Sequence, residues 1–231
     1  MAQTQTSKPN AVAVYCASTL GKQLAYRNAA VSLGAGIAKT GRSLVYGGGM
    51  KGIMGVIPSA VLQGGGNVTG IVPYAISIAG GEGSGASPQV QGAMSENAER
   101  VETIVVDSMN ERKTEMAKRV HGFFGLPGGF GTLDEILEVI TWTQIGFHSK
   151  PIVLINVHGY FEPLRQLIRN GIAEGFIPAD NENFVIFVDG PQDRLGHETF
   201  DWGRAGLAAL EGWDSGSSKP LFDWVEKTKE V

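Results

Sequence analysis

Seven short runs of apolar, often β-branched residues recur along the chain, at 12–16, 43–46, 68–72, 103–106, 122–126, 152–157 and 184–188. Almost none alternates with polar residues. A strand with one wet face alternates, whereas a strand covered on both faces does not. Between the runs lie stretches of helical character at about 22–40, 52–63, 109–120, 132–147, 159–174 and 191–210. Regular alternation of strand and helix predicts an α/β fold: an open parallel sheet of about seven strands with helices on both faces. In such sheets ligands sit at the carboxyl ends of the strands. The expected organisation is a disordered tail over 1–10, a single domain over 11–195, and a C-terminal extension over 196–231 packed on that domain. The segment 80–98, rich in Gly and Ser, reads as a loop.

Hydrophobic residues make up 42% of the 231 positions and charged residues 18%, which supplies a real core and excludes intrinsic disorder. The net charge of −4 offers no electrostatic basis for a nucleic-acid partner or an anionic membrane. Residues 52–81 carry no charge, but Pro58, Gly64-Gly65-Gly66 and Pro73 break them into pieces too short to span a bilayer. One cysteine, Cys16, excludes a disulfide framework and a cysteine-rich zinc site and fits a reducing compartment. The first ten residues have neither a basic start nor an apolar run, so a cytoplasmic location is expected. Cys16 reads as a core thiol, and His121, His148, His158 and His197 are too scattered to predict a metal site.

Three local patterns carry chemistry. Gly47-Gly48-Gly49-Met50-Lys51-Gly52 fits G-x-G-x-x-G but follows the second strand, and no acid lies within 53–81 to hold a ribose, so a dinucleotide site is not expected. Two readings stand: close backbone approach to another ligand, or a tight strand-to-helix turn. Leu126-Pro127-Gly128-Gly129-Phe130-Gly131-Thr132-Leu133-Asp134-Glu135 runs from a strand into a helix. Its glycines let backbone amides converge at a helix N-terminus, a place for an anion such as phosphate, but it lacks the P-loop lysine. Thr132-x-x-Glu135 is equally a capping box, in which Glu135 only satisfies the helix start. The third pattern, Met109-Asn110-Glu111-Arg112-Lys113, puts Lys113 inside an apolar helical stripe and Arg112 on its flank. Buried charges need partners, either an anionic ligand or an internal ion pair.

These patterns, in this order, resemble the LONELY GUY family, the cytokinin riboside 5′-monophosphate phosphoribohydrolases long mislabelled as lysine decarboxylases. The resemblance rests on Tyr46-Gly47-Gly48-Gly49 with Gly55, on Arg112-Lys113, on PGGFGTLDE at 127–135, and on Thr141-Trp142-x-Gln144-x-Gly146 with His148-x-Lys150-Pro151. It implies a Rossmann-like fold and hydrolysis of the N-glycosidic bond of an N6-substituted adenosine 5′-monophosphate to free base and ribose 5-phosphate. It also implies catalytic roles for Arg112 and Glu135, and substrate contacts at Ser18, Gly48, Met109, Lys113, Gly129, Phe130, Gly131, Thr132 and Thr141. No metal and no cofactor is implied, and the partner is a small nucleotide. An acid that contacts substrate from the 80–98 segment is assigned to Glu82. Where the family has Met-His before the arginine this chain has Met109-Asn110, and its first loop reads Cys16-Ala17-Ser18-Thr19.

The chemistry agrees with the resemblance. Cleavage of a ribosyl N-glycosidic bond builds positive charge on the sugar, which a carboxylate such as Glu135 stabilises while orienting water. The alternative is a non-catalytic carrier of a phosphorylated, nucleotide-like ligand on the same fold. The helix at 132–147 has Leu133, Leu137 and Ile140 on one face and Val139, Trp142 and Ile145 on the opposite one. A helix apolar nearly all round is buried on two sides, so a homodimer or higher homo-oligomer through it is expected.

Overall fold

A computed structural model describes residues 10–78, 86–214 and 222. Seven strands form one sheet: β1 (Ala11–Tyr15), β2 (Ser43–Tyr46), β3 (Val68–Pro73), β4 (Val101–Val106), β5 (Gly122–Gly125), β6 (Ile152–Asn156) and β7 (Val185–Asp189). Their order is β4-β3-β2-β1-β5-β6-β7 and every pairing is parallel. The chain works outward from β1 to one edge, then returns beside β1 and works to the other. The carboxyl ends of β1 and β5 therefore flank the crevice where such folds place ligands.

The helices are α1 (Leu24–Lys39), α2 (Gly52–Gln63), α3 (Tyr74–Ile78), α4 (Pro88–Glu96), α5 (Met109–Arg119), α6 (Phe130–Ile145), α7 (Glu162–Ala173) and α8 (Trp202–Glu211). Two cores explain the missing polar alternation. Val12 and Val14 of β1 face α1, α2 and α8 through Leu33, Ile37, Ile57, Val61, Trp202 and Leu207. Ala13 and Tyr15 face the other way, onto Met116 and Val120 beside α6 and α7 residues Ile136, Val139 and Leu164. Successive side chains point to opposite faces, and both faces are dry.

The expected loop over 80–98 is corrected in its second half, where Pro88–Glu96 is helical. Ser87 caps it by accepting from the Val90 amide at 3.4 Å, and Pro88 occupies the first position, where a missing N–H costs nothing. Glu82 lies outside the described residues.

Past residue 195 the chain is drawn into the first core. Trp202 is fully buried, and its indole N–H donates to the His197 carbonyl at 3.0 Å. The α8 backbone comes so close to α1 that a Cβ on Gly203 would lie 2.2 Å from the Ser32 carbonyl oxygen. Ser32 uses the closeness: its hydroxyl accepts from the Gly203 amide at 2.9 Å and donates to Asp201, the cap of α8.

Gly203→Ala should therefore push α8 off α1 and cost ~1–3 kcal/mol in urea unfolding. Gly92→Ala in α4, with nothing within 4 Å of the new Cβ, should instead stabilise by ~0.4–1 kcal/mol. Equal effects would mean that the α1–α8 contact is not tight.

Candidate active site

The site is built around a buried arginine. Helix α5 starts at Ser108, whose hydroxyl accepts from the Glu111 amide at 3.1 Å while Glu111 returns a carboxylate to the Asp107 amide at 2.8 Å. Starting there, α5 turns Arg112, Lys113, Met116 and Ala117 inward. Arg112 is only 7% exposed. Its Nε donates to the Ile71 carbonyl and its Nη2 to the Gly47 carbonyl, each at 3.1 Å. The guanidinium thus spans the carboxyl ends of β2 and β3.

That seat explains the first glycine loop. A Cβ on Gly47 would sit 1.7 Å from Arg112 Nη2, inside the space the guanidinium occupies. Gly48 has φ +80°, and its Cβ would strike Val72. The loop makes a tight turn, and Arg112 is brought close to its backbone at Gly47.

Lys113 finds its partners inside the protein as well, at 3.2 Å from Asp134 and 3.0 Å from Glu138. Burial works against its charge, but the two carboxylates outweigh it and its pKa rises. A Schiff-base lysine needs the opposite shift.

The second loop corrects the capping-box expectation. Helix α6 begins at Phe130 with Gly129 as its N-cap, two residues before Thr132, and no side chain caps it. Thr132 is the third helical residue, 4% exposed, folded against Gly128, where a Cβ would lie 2.1 Å from its Oγ1. The Ser/Thr-x-x-Glu signature is used at Ser108 and Glu111 instead. Tyr160 braces the loop from outside, its hydroxyl donating to the Gly128 carbonyl. Gly129, Phe130 and Gly131 are exposed, and a Cβ on either glycine would meet nothing within 4 Å. An uncapped helix start with open space before it is a place for an anion.

Glu135, relieved of a capping role, is the sixth residue of α6, and its side chain is 13% exposed. Arg112 Nη1 stands 3.7 Å from its Oε1, longer than the 2.7–2.9 Å typical of a charge-assisted hydrogen bond. Burial dominates and pushes the Glu135 pKa up to about 7; Arg112 opposes this and Asp134 adds to it. A pocket at this point is lined by Tyr15, Cys16, Tyr46, Gly47, Met54, Ile57, Arg112 and Glu135. Burial, then Glu135, pushes the Cys16 thiol far up, leaving it inert. Tyr15 and Tyr46 end β1 and β2; their place at the carboxyl ends of strands was the signal that could have singled them out.

The remaining expected residues are spread along the rim. Ser18 is exposed in the turn after β1, a turn held by bonds from the Ile53 and Met54 amides to the Thr19 and Ala17 carbonyls. Met109 is half-exposed one turn before Arg112, its sulfur 4.0 Å from Nη1. Thr141 is not brought to the Arg112–Glu135 pair: it lies about 9 Å further along α6, with its hydroxyl donating to the Leu137 carbonyl. The motif that follows it stops a helix and starts a strand at the far end of the sheet. Gly146 takes φ +85° as the α6 C-cap, and His148, its pKa lowered by burial to about 4, packs on Phe123. Among the described residues no group of three or more His, Cys, Asp or Glu side chains could hold a metal ion.

Comparison with known proteins places the chain in a family. The family model described as "Possible lysine decarboxylase" matches residues 54–197. A probable cytokinin riboside 5′-monophosphate phosphoribohydrolase of Oryza sativa subsp. japonica is 43% identical over 76% of this chain and 72% of its own. A cytokinin riboside 5′-monophosphate phosphoribohydrolase of Arabidopsis thaliana is 38% identical over 78% of each. Among solved structures, the molybdenum cofactor binding protein of Rippkaea orientalis has a TM-score of 0.53 at 20% identity, covering 80% of this chain and 91% of that one. That likeness is one of fold. With more than three quarters of its length aligned to curated relatives at this level of identity, the chain belongs to the LONELY GUY family.

Proposed function

We propose that this enzyme hydrolyses the N-glycosidic bond of cytokinin riboside 5′-monophosphates, releasing the free-base cytokinin and ribose 5-phosphate. The observation that carries the reading is the buried Arg112–Glu135 pair beside the open, uncapped start of α6. In this reading the 5′-phosphate accepts hydrogen bonds from the amides at 129–132, with Thr132 at the loop's base and Gly129 and Gly131 leaving room for it. Glu135 lies about one and a half turns along α6, some 7 Å, roughly the length of a ribose 5-phosphate. Its carboxylate faces the anomeric carbon, stabilises the developing oxocarbenium and takes a proton from the attacking water. The water oxygen bonds to the anomeric carbon as the bond to the base nitrogen breaks; that electron pair leaves with the base, which takes up a proton as it departs and so balances the proton that Glu135 takes from the water. Arg112, fixed by two carbonyls, faces the departing side with donors that need no reorganisation. Ser18, Gly48 and Met109 border the same crevice as substrate contacts. Lys113 acts from behind, through its carboxylates, and Thr141 contacts substrate only if an element outside this crevice brings the two together.

The proposal includes a homodimer through α6. Ile136, Val139 and Thr143 turn to the sheet, while Phe130 is 93% exposed and Leu137 45%. It also includes a cytoplasmic setting, which rests on the single cysteine.

Glu135→Gln keeps the shape and removes the charge, so base release from N6-isopentenyladenosine 5′-monophosphate should fall by a factor on the order of 10²–10⁴ with little change in melting temperature. Tight nucleotide binding without base release in the wild type would favour the carrier instead. Because the ionised form of Glu135 is the active one, kcat/KM should fall as pH drops through about 7, by about tenfold per unit below it; activity rising over that interval would assign Glu135 the opposite role. Each hydrogen bond to a charged group contributes ~1.5–3 kcal/mol, so N6-isopentenyladenosine should have a kcat/KM lower by a factor on the order of 10² or more than its 5′-monophosphate. Light scattering at micromolar concentration should give twice the chain mass, and a monomer would refute the α6 interface.

A further inference from the structure

Five charged side chains meet where α5 packs on α6: Arg112 and Lys113 from the first, Asp134, Glu135 and Glu138 from the second. Two cations face three carboxylates, so one negative charge is in excess; Asp134 reaches solvent, while Arg112, Lys113 and Glu135 are shielded from it. The geometry decides which carboxyl carries the excess. Lys113 spends its ammonium on Asp134 at 3.2 Å and Glu138 at 3.0 Å. Arg112 directs Nε and Nη2 to backbone carbonyls and leaves only Nη1, at 3.7 Å, near Glu135. Glu138 lies one helical turn beyond Glu135, on the same side of α6. One of its oxygens holds Lys113; the other, Oε2, is buried with no hydrogen-bond partner among the described residues. An unsatisfied buried acceptor is costly and calls for an explanation.

We propose that Glu138 is a positioning residue for the reaction: it engages the Lys113 ammonium at 3.0 Å and sets a like charge one turn from Glu135, so that the Glu135 carboxylate faces the crevice without a lysine partner of its own. Charged and titratable groups face Glu135 from two helices and one strand, and Tyr46 of β2 lines the same pocket. Arg112 and Lys113 come from α5, Asp134 and Glu138 from α6, and Tyr15 and Cys16 from β1, where both are too deeply buried to ionise. Burial is the main source of the basicity that helps Glu135 abstract a proton from water; Glu138 adds to it directly and by engaging Lys113, whose charge would otherwise oppose it.

The inference rests on Glu135 being the reacting carboxylate, and its test has a readout that needs no substrate. In full-length protein labelled with carboxyl-¹³C glutamate, the Glu135 resonance is identified by its loss in Glu135→Gln and followed against pH. Its midpoint should fall by about one pH unit in Glu138→Gln, return towards wild type in Glu138→Asp, and rise in Lys113→Met. The acid limb of kcat/KM for N6-isopentenyladenosine 5′-monophosphate should move with the midpoint. A Glu135 midpoint unchanged or raised in Glu138→Gln overturns the proposal; should that variant not fold, a midpoint unchanged or lowered in Lys113→Met overturns it as well. Midpoints that shift as stated in a protein releasing no base would support the charge arrangement and refute the hydrolase.

Discussion

The site depends on the burial of one guanidinium. Arginine is charged at every accessible pH, so taking Arg112 out of water obliges the fold to supply acceptors along its edges. It does so with the carbonyls of Gly47 and Ile71, which only a parallel arrangement of β2 and β3 brings side by side at one end of the sheet. Residue 47 must then lack a side chain, and α5 must start where Ser108 can cap it if position 112 is to point inward. Three segments separated by tens of residues are tied together by one side chain. Removing it would leave two buried carbonyls without donors.

Around that fixed cation the electrostatics are uneven by design of the packing. Burial raises the Glu135 pKa to about 7, and because Lys113 is paired with two other carboxylates and Arg112 with two carbonyls, the cations beside it offset that burial only in part. A close, hydrogen-bonded pairing of Arg112 with Glu135, in place of the 3.7 Å separation, would have favoured an ordinary ionised carboxylate.

The sheet was legible because strands buried on both faces must be apolar throughout, a demand on residue type that survives without coordinates. All seven strands lie within two residues of their expected limits. Helix α4 escaped because Gly and Ser dominate its surroundings, although Ser87-Pro88 is a cap followed by a first-position proline. The misplaced start of α6 is more instructive. Thr132-x-x-Glu135 and Ser108-x-x-Glu111 have the same spacing, and which one caps a helix depends on where Gly128 lets Thr132 fold, a tertiary fact. The pairing of Lys113 with Asp134 and Glu138, more than twenty residues away, was likewise invisible to local reasoning, whereas Tyr15 and Tyr46 could have been found from their place at the carboxyl ends of strands.

The glycines of the site fall into two populations with different freedom to change. Gly47, Gly48 and Gly128 are locked, because a methyl group at any of them collides with Arg112, Val72 or Thr132. Gly129 and Gly131 meet no such obstacle, so the fold places no steric veto on them, and in the proposed reading what restricts them is the phosphate the loop would receive. These two positions form a dial on a rigid mount. Libraries that vary them can search for altered ligand preference while the scaffold, the arginine seat and the carboxylate behind it stay in register.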